Sequence, residues 1–325
     1  MGISRRSETE IKRFSHINAT TIDEAVSALE KGKARVIAGG TDLLGLLKDN
    51  VLPDYPETVI NIKTIPGMNF VSEEKGVLRI GALTLLDDIA RNKTIQQGYA
   101  ALAEAAARAA HPHIREMGTI AGNLCQLPRC WYFRLRNNRF FCRRKGGKVC
   151  PAITGDARYH SIFGGIKGCV AVNPSDLAPA LIALEGKIKT TKRLVEAESF
   201  FSVEGYGTTI LDANEIVTEI QLPEHDTLAR SAFMKYALRK SIDFAIVNCA
   251  ALIGPRTARI CLNAVSNNPY RPAAAEQAVA GKPIDEAIAE AAGVAAIAGA
   301  KPLASNTYKT QIAKTLVRRA ILACA

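Results

Sequence analysis

The chain has 325 residues, 48% of them hydrophobic and 22% charged. Those proportions describe a soluble globular protein of two or three domains and exclude a disordered chain, a collagen or a small disulfide scaffold. No run approaches the roughly eighteen apolar residues of a transmembrane helix, so no membrane association is expected. Lys plus Arg number 42 against 31 Asp plus Glu, a formal charge of +11, which implies contact with something acidic: nucleic acid, an anionic membrane, a phosphate-bearing cofactor or an acidic protein.

The N-terminal stretch MGISRRSETEIKRF has no apolar core, so no secretory signal is expected and a cytoplasmic location is, with export inside a complex left open. Thr21 and Glu24 form the ends of a capping box that starts a helix running to Gly32. A short apolar strand over 35–38 leads into Gly39-Gly40-Thr41-Asp42 and a helix over 43–48. Strands follow over 59–62 and 77–81, and helices over 85–91 and 99–110, the last ending at His111-Pro112. A glycine-containing turn spans 118–123. Residues 125–169 are aromatic, basic and rich in cysteine, without periodicity; a long irregular loop inside a domain is usually functional. Regular structure resumes with a strand at Val170, then Asn173-Pro174-Ser175-Asp176 and a helix through Leu184. Strands are predicted over 187–191, 216–222, 232–238 and 259–265, and three Ala-rich helices over 271–280, 284–298 and 307–323. The architecture is α+β, with an insertion in the middle and a boundary near residue 225.

Three motifs carry chemistry. AGGTDLL, residues 38–44, places glycines and free N–H groups at a helix start, which suits an anion such as pyrophosphate. It also reads as a plain helix N-terminus capped by Thr41 or Asp42, and neither a GxGxxG nor a GxxxxGK[ST] pattern is present. TIAGN, residues 119–123, reads as a second clamp on the same anion, or as a tight turn needing glycine. Cys130, Cys142, Cys150 and Cys169 are separated by 11, 7 and 18 residues, which departs from zinc-knuckle and ferredoxin spacings but still allows a [4Fe–4S] cluster or zinc. Between Arg129 and Cys150 lie eight basic residues and no carboxylate; such a collar offsets the negative charge of a tetrathiolate cluster. Its rival readings are single-stranded nucleic-acid binding, because Trp131, Tyr132, Phe133, Phe140 and Phe141 alternate with arginines, and a solvated basic loop with four unrelated thiols whose aromatics pack on the domain. Cys249, Cys261 and Cys324 read as small buried hydrophobes. Lys235 sits on a predicted strand where a cation near a cofactor or a plain exposed lysine both fit. His111 and His113 read as structural. With no Ser-His-Asp set, no HExxH and no carboxylate pair, no catalytic residue is assigned and substrate chemistry is expected on another chain.

In order, AGGTDLL, TIAGN, NPSD with LAPAL, EIVTEIQLP and AFMKYALRK resemble the FAD-binding medium subunit of molybdenum hydroxylases, the xanthine dehydrogenase and carbon monoxide dehydrogenase family. The resemblance covers nearly the whole chain. It implies a two-subdomain FAD-binding domain of the vanillyl-alcohol-oxidase type over 1–225, divided near residue 65, and a C-terminal α+β domain over 226–325. It implies that Val36, Ile37, Ala38, Gly39, Gly40, Thr41, Asp42 and Leu43, with Thr119, Ile120, Ala121, Gly122 and Asn123, hold the FAD pyrophosphate. Asp176 would bind the ribityl or ribose end, Val217 and Lys235 would make further FAD contacts, and Cys125 would approach the flavin ring. The insertion over 126–169 resembles the cysteine-bearing loops of 4-hydroxybenzoyl-CoA reductase and certain bacterial aldehyde oxidoreductases, so Cys130, Cys142, Cys150 and Cys169 would ligate a [4Fe–4S] cluster. The implied role is electron relay between a small [2Fe–2S] subunit, itself beside a large molybdopterin subunit, and an external carrier such as a ferredoxin. The other readings are a zinc- or cluster-bearing nucleic-acid-binding protein and a stand-alone FAD oxidoreductase.

Overall fold

The computed structural model describes residues 11–240 and 242–325; most of the N-terminal stretch read as lacking a signal core lies outside the described residues. The chain begins with three parallel strands, β1 (Ser15–Asn18), β2 (Ala34–Ile37) and β3 (Thr58–Asn61), in the order β1-β3-β2. The helix Ile22–Glu30 between β1 and β2 starts as predicted: Thr21 Oγ1 accepts from the Glu24 N–H at 3.1 Å. Glu24 reaches back one residue further than expected, accepting from the Thr20 N–H at 2.7 Å.

The second sheet takes strands from both sides of the insertion: β4 (Val71–Glu74), β5 (Val77–Gly81), β6 (Lys187–Thr190), β7 (Leu194–Glu196) and β8 (Val217–Pro223), in the antiparallel order β4-β5-β8-β6-β7. Helix Leu177–Ala183 is buried along its whole length and belongs to the same core. The third sheet, β9 (Arg230–Tyr236), β10 (Val247–Gly254) and β11 (Thr257–Asn263), is covered by helices Ala273–Val279, Glu286–Ala296 and Tyr308–Leu322, which form a separate hydrophobic core with it.

Most predicted elements fall within two residues of the observed ones. The strands β1, β4, β7 and β10 were not predicted. The first two are short edge strands with mostly exposed residues, so they carry no apolar alternation. β10 fails for the opposite reason: as the central strand it is buried on both faces, and VNCAALIG shows no period of two. The strand predicted at Val170 does not form. That stretch is held by a single bridge, Ile166 to Cys169, and by Ser161 N–H donating to the Val170 carbonyl at 2.9 Å. The helix over 99–110 is shorter, Ala100–Ala107, and Pro112 instead opens a new turn of helix as its first residue.

Residues 126–169 form short helical turns joined by irregular backbone. Phe133 and Cys142 anchor this insertion by packing against Leu46, Leu47, Val51 and Val59 of the first subdomain. The C-terminal domain grips its other end. Asn306 Nδ2 donates to the carbonyls of Ala157, His160 and Ser161, and the buried Lys309 Nζ donates to the carbonyls of His160 (2.9 Å) and Ala264 (2.6 Å).

Burial pushes the Lys309 amine down to about 7, far below the value near 10.4 of an unfolded chain. Between those values the unfolded chain holds more protons, so this residue's contribution to stability rises as pH climbs from about 7 toward 10.4. Denaturant unfolding at about pH 6.5 and pH 9 should therefore show the difference between wild type and Lys309→Met moving in favour of wild type, by on the order of 2 kcal/mol. A difference independent of pH would contradict it.

Candidate cofactor groove and cysteine cavity

β2 runs straight into the glycine turn, and the turn runs into helix Leu43–Lys48. Gly40 has φ +72°, which favours glycine. A Cβ on Gly39 would lie 1.9 Å from the Met117 carbonyl oxygen, so this turn and the one preceding TIAGN meet backbone to backbone. Among the described residues, no N–H from Gly39 to Leu43 donates to a protein acceptor. These free donors at a helix start make a positive pole for an anion. The TIAGN turn is different: the N–H groups of Ile120, Ala121, Gly122 and Asn123 donate to Thr84 O, Ala82 O, Thr119 Oγ1 and Thr119 O. It supplies wall rather than free donors.

The groove between the turns has a volume of about 520 Å³. Its walls include Val36, Ile37, Ala38, Gly39, Gly40, Thr41, Asp42, Leu43, Thr119, Ala121, Gly122 and Val217, together with Cys125. Ile120 instead points into the core, and Asn123 Oδ1 accepts from Ser175 Oγ at 2.6 Å. The segment Glu204 to Thr209 also lines the groove and escaped the sequence reading; its glycine pair, Gly205 and Gly207, was the available signal.

Asp42 does not cap its helix. Its carboxylate accepts from Arg134 Nη2 at 2.6 Å and from the Leu127 N–H at 2.9 Å, and pairs with Arg129 Nη2 at 2.9 Å. It thus pins the start of the insertion to the glycine turn. Burial pulls the Arg129 guanidinium down to about 10, Asp42 raising it and Arg134 lowering it.

Cys130, Cys142, Cys150 and Cys169 line one small cavity with Tyr132, Phe133, Arg143 and Arg144. They surround a space rather than meet at a point: among the described residues no three His, Cys, Asp or Glu side chains close tightly enough to hold a single ion. Burial pushes the Cys130 thiol up to about 12 and raises that of Cys169. Two cations are buried beside them. Arg144 is 4% exposed and donates to the Gly207 carbonyl; Lys145 is 5% exposed, donates to Asn138 Oδ1 and lies 4.8 Å from the Phe133 ring centre. Neither forms an ion pair with a carboxylate among the described residues, and the Arg144 Nε atom is buried without a partner. Burial lowers both cations, and the cysteines push them back up. Half of the basic run is therefore drawn into the protein, Arg129 and Arg134 onto Asp42 and Arg144 and Lys145 beside the cysteines, while Arg136 pairs with Asp49 at the surface. Arg139, Arg143 and Lys148 stay exposed, beside Phe141 and Val149. The aromatics divide likewise. Phe133 is in the core and Trp131 packs edge-on against Tyr132, Tyr159 and His160, so they form no open stacking platform.

A second cavity of about 520 Å³ lies beside the connection from β9 to β10 in the third sheet, lined by Arg129, Cys130, His160, Asn173, Phe244 and others. Cys130 faces both this cavity and the thiol cavity, and the Arg129 guanidinium sits 4.4 Å from the Phe244 ring centre. Asp176 and Lys235, 59 residues apart, meet as a buried ion pair at 2.7 Å, with Asn248 Nδ2 donating to the other carboxylate oxygen at 2.7 Å. Burial raises the Asp176 carboxyl, and Lys235 and Asn248 pull it back down. The pair lines neither cavity.

Replacing Asp42 with alanine should leave two part-buried arginines uncompensated. The expected loss in unfolding free energy is about 2 kcal/mol, less than for a fully buried pair, with faster proteolysis inside residues 126–169. Unchanged stability and unchanged proteolysis would contradict the tether.

Residues 12–225 match the family described as the FAD binding domain in molybdopterin dehydrogenase, and residues 232–324 the CO dehydrogenase flavoprotein C-terminal domain. The aldehyde oxidoreductase FAD-binding subunit of Escherichia coli is 31% identical, covering 94% of this chain and 96% of its own. The carbon monoxide dehydrogenase medium chain of Hydrogenophaga pseudoflava is 28% identical over 95% and 96%. A solved structure of the carbon monoxide dehydrogenase from Hydrogenophaga pseudoflava contains a chain that superposes with a TM-score of 0.75 at 27% identity, covering 97% of this chain and 98% of that one. The chain belongs to the FAD-binding medium subunits of the molybdenum hydroxylase family.

Proposed function

We propose that the chain is the electron-relay subunit of a molybdenum-dependent oxidoreductase of the aldehyde oxidoreductase or hydroxybenzoyl-CoA reductase type, carrying FAD and a [4Fe–4S] cluster. Residues 1–225 would hold both groups, and 226–325 would close the site. The observation that carries the cluster is four cysteines around one cavity, with two cations buried beside them that have no carboxylate partner among the described residues. A polynuclear anion held by four thiolates would satisfy both the thiols and the cations. A single metal ion would need ligands that meet at a point.

For FAD, the free N–H groups from Gly39 to Leu43 would take the pyrophosphate, with Val36 to Ala38, Thr119, Ala121, Gly122 and Val217 shaping the groove around it. The flavin end would extend past Arg129 toward the second cavity, with the Asp176–Lys235 ion pair outside both cavities. When bound, the two groups would supply a two-electron and a one-electron carrier. The chain's own part is to bind, orient and shield them. It lacks an acid–base set, so substrate would be handled on a large molybdopterin subunit, with a small [2Fe–2S] subunit between. Arg139, Arg143 and Lys148 are left to steer an acidic carrier such as a ferredoxin. No helix among the described residues is long and apolar enough to cross a membrane; the proposed location is the cytoplasm, with export inside a complex left open.

Iron, sulfide, zinc and flavin should be assayed on anaerobically purified protein beside a Cys142→Ser variant. The reading predicts about four iron and one FAD per chain, with iron lost and FAD kept in the variant. Zinc in place of iron, with no flavin, would overturn it.

A further inference from the structure

His160 is 2% exposed and its Nε2 lies 3.2 Å from Cys130 Sγ. Its other ring nitrogen, Nδ1, is buried without a hydrogen-bond partner. The backbone around it is held from three sides. The His160 N–H donates to the Ala157 carbonyl at 2.8 Å, and the His160 carbonyl accepts from Lys309 Nζ at 2.9 Å and from Asn306 Nδ2 at 3.2 Å. Trp131 and Tyr132 pack against the ring. A ring fixed this firmly against a sulfur is a placed group, and it lines the second cavity, not the thiol cavity. It reaches Cys130 from outside the ring of thiols, which is where a hydrogen-bond donor to a ligand sulfur belongs and where a ligand does not.

We propose that His160 is a positioning residue that donates its Nε2–H to the Cys130 thiolate and raises the reduction potential of the iron–sulfur centre. This rests on the cluster reading given above. A metal-bound thiolate is an acceptor with no proton of its own, so the imidazole facing it carries the hydrogen on that nitrogen. A hydrogen bond to a ligand sulfur withdraws negative charge and favours the more negative, reduced state, which raises the potential. The site also has a reason to single out Cys130. It is the thiol that faces both cavities, so tuning it acts on the side from which electrons would reach a group in the larger one. The grip of Asn306 and Lys309 makes the C-terminal domain the part that sets the ring.

The test is an EPR-monitored redox titration of the full chain in its anaerobically purified complex, as wild type, His160→Ala and His160→Gln, with iron and FAD assayed on each. The expected result is iron and FAD content unchanged in both variants. The one-electron reduction equilibrium should fall about tenfold in His160→Ala, about 59 mV, and recover in part in His160→Gln, which restores an N–H. An unchanged potential with iron intact would overturn the inference. Loss of iron from both variants would also overturn it, by making His160 a ligand or a requirement for folding. Wild type without iron would overturn the cluster reading itself, and the inference with it.

Discussion

The Asp42 carboxylate holds Arg134, Arg129 and the Leu127 N–H at once, and the layout of the molecule follows from that contact. Asp42 ends the glycine turn whose free N–H groups form the anion pole of the groove. Its three partners begin the insertion that carries the cysteines. An acid at this point would ordinarily weaken an anion site by repulsion. Here its charge is already neutralised by two guanidinium groups, so the turn keeps its positive pole while the insertion is locked in place. Arg129 then leads on to Phe244 in the second cavity, so one carboxylate connects the groove, the cysteine loop and the C-terminal domain.

Charge is handled in the same way elsewhere. Of the eight basic residues in the middle of the chain, half are drawn inward. Arg144 and Lys145 lie buried beside the four cysteines, with carbonyl and amide partners but no ion pair with a carboxylate among the described residues. Burying a cation without a counter-charge is costly. The thiols that face them raise both cations again, and the proposed cluster would supply the missing counter-charge. Asp176 and Lys235 show the opposite solution, two buried charges that neutralise each other.

Much of this was legible in the sequence. The glycine turn, its strand and its helix were readable because local periodicity and turn chemistry decide them. The four cysteines were readable as one set because core packing gives no reason to cluster them in a loop. What was not legible depended on long-range contacts. Nothing local marks Asp42 as a tether, since its partners lie 85 to 92 residues away. The TIAGN turn looked like a second set of donors, and its N–H groups proved to be engaged within the fold. β10 lacked a period because both of its faces are buried. His160 carried no signal at all: a lone histidine 30 residues from Cys130 gains meaning only once the chain brings them together.

The central claim is that one chain holds two electron carriers, a flavin in the groove and a cluster in the cysteine cavity. A stepwise anaerobic reductive titration, followed by absorbance and by EPR together, tests it most directly. The account predicts about three electrons taken up per chain, two bleaching the flavin and one producing the paramagnetic signal of a reduced [4Fe–4S] centre. Uptake of about two electrons with no such signal would leave the flavin alone on the chain and contradict it.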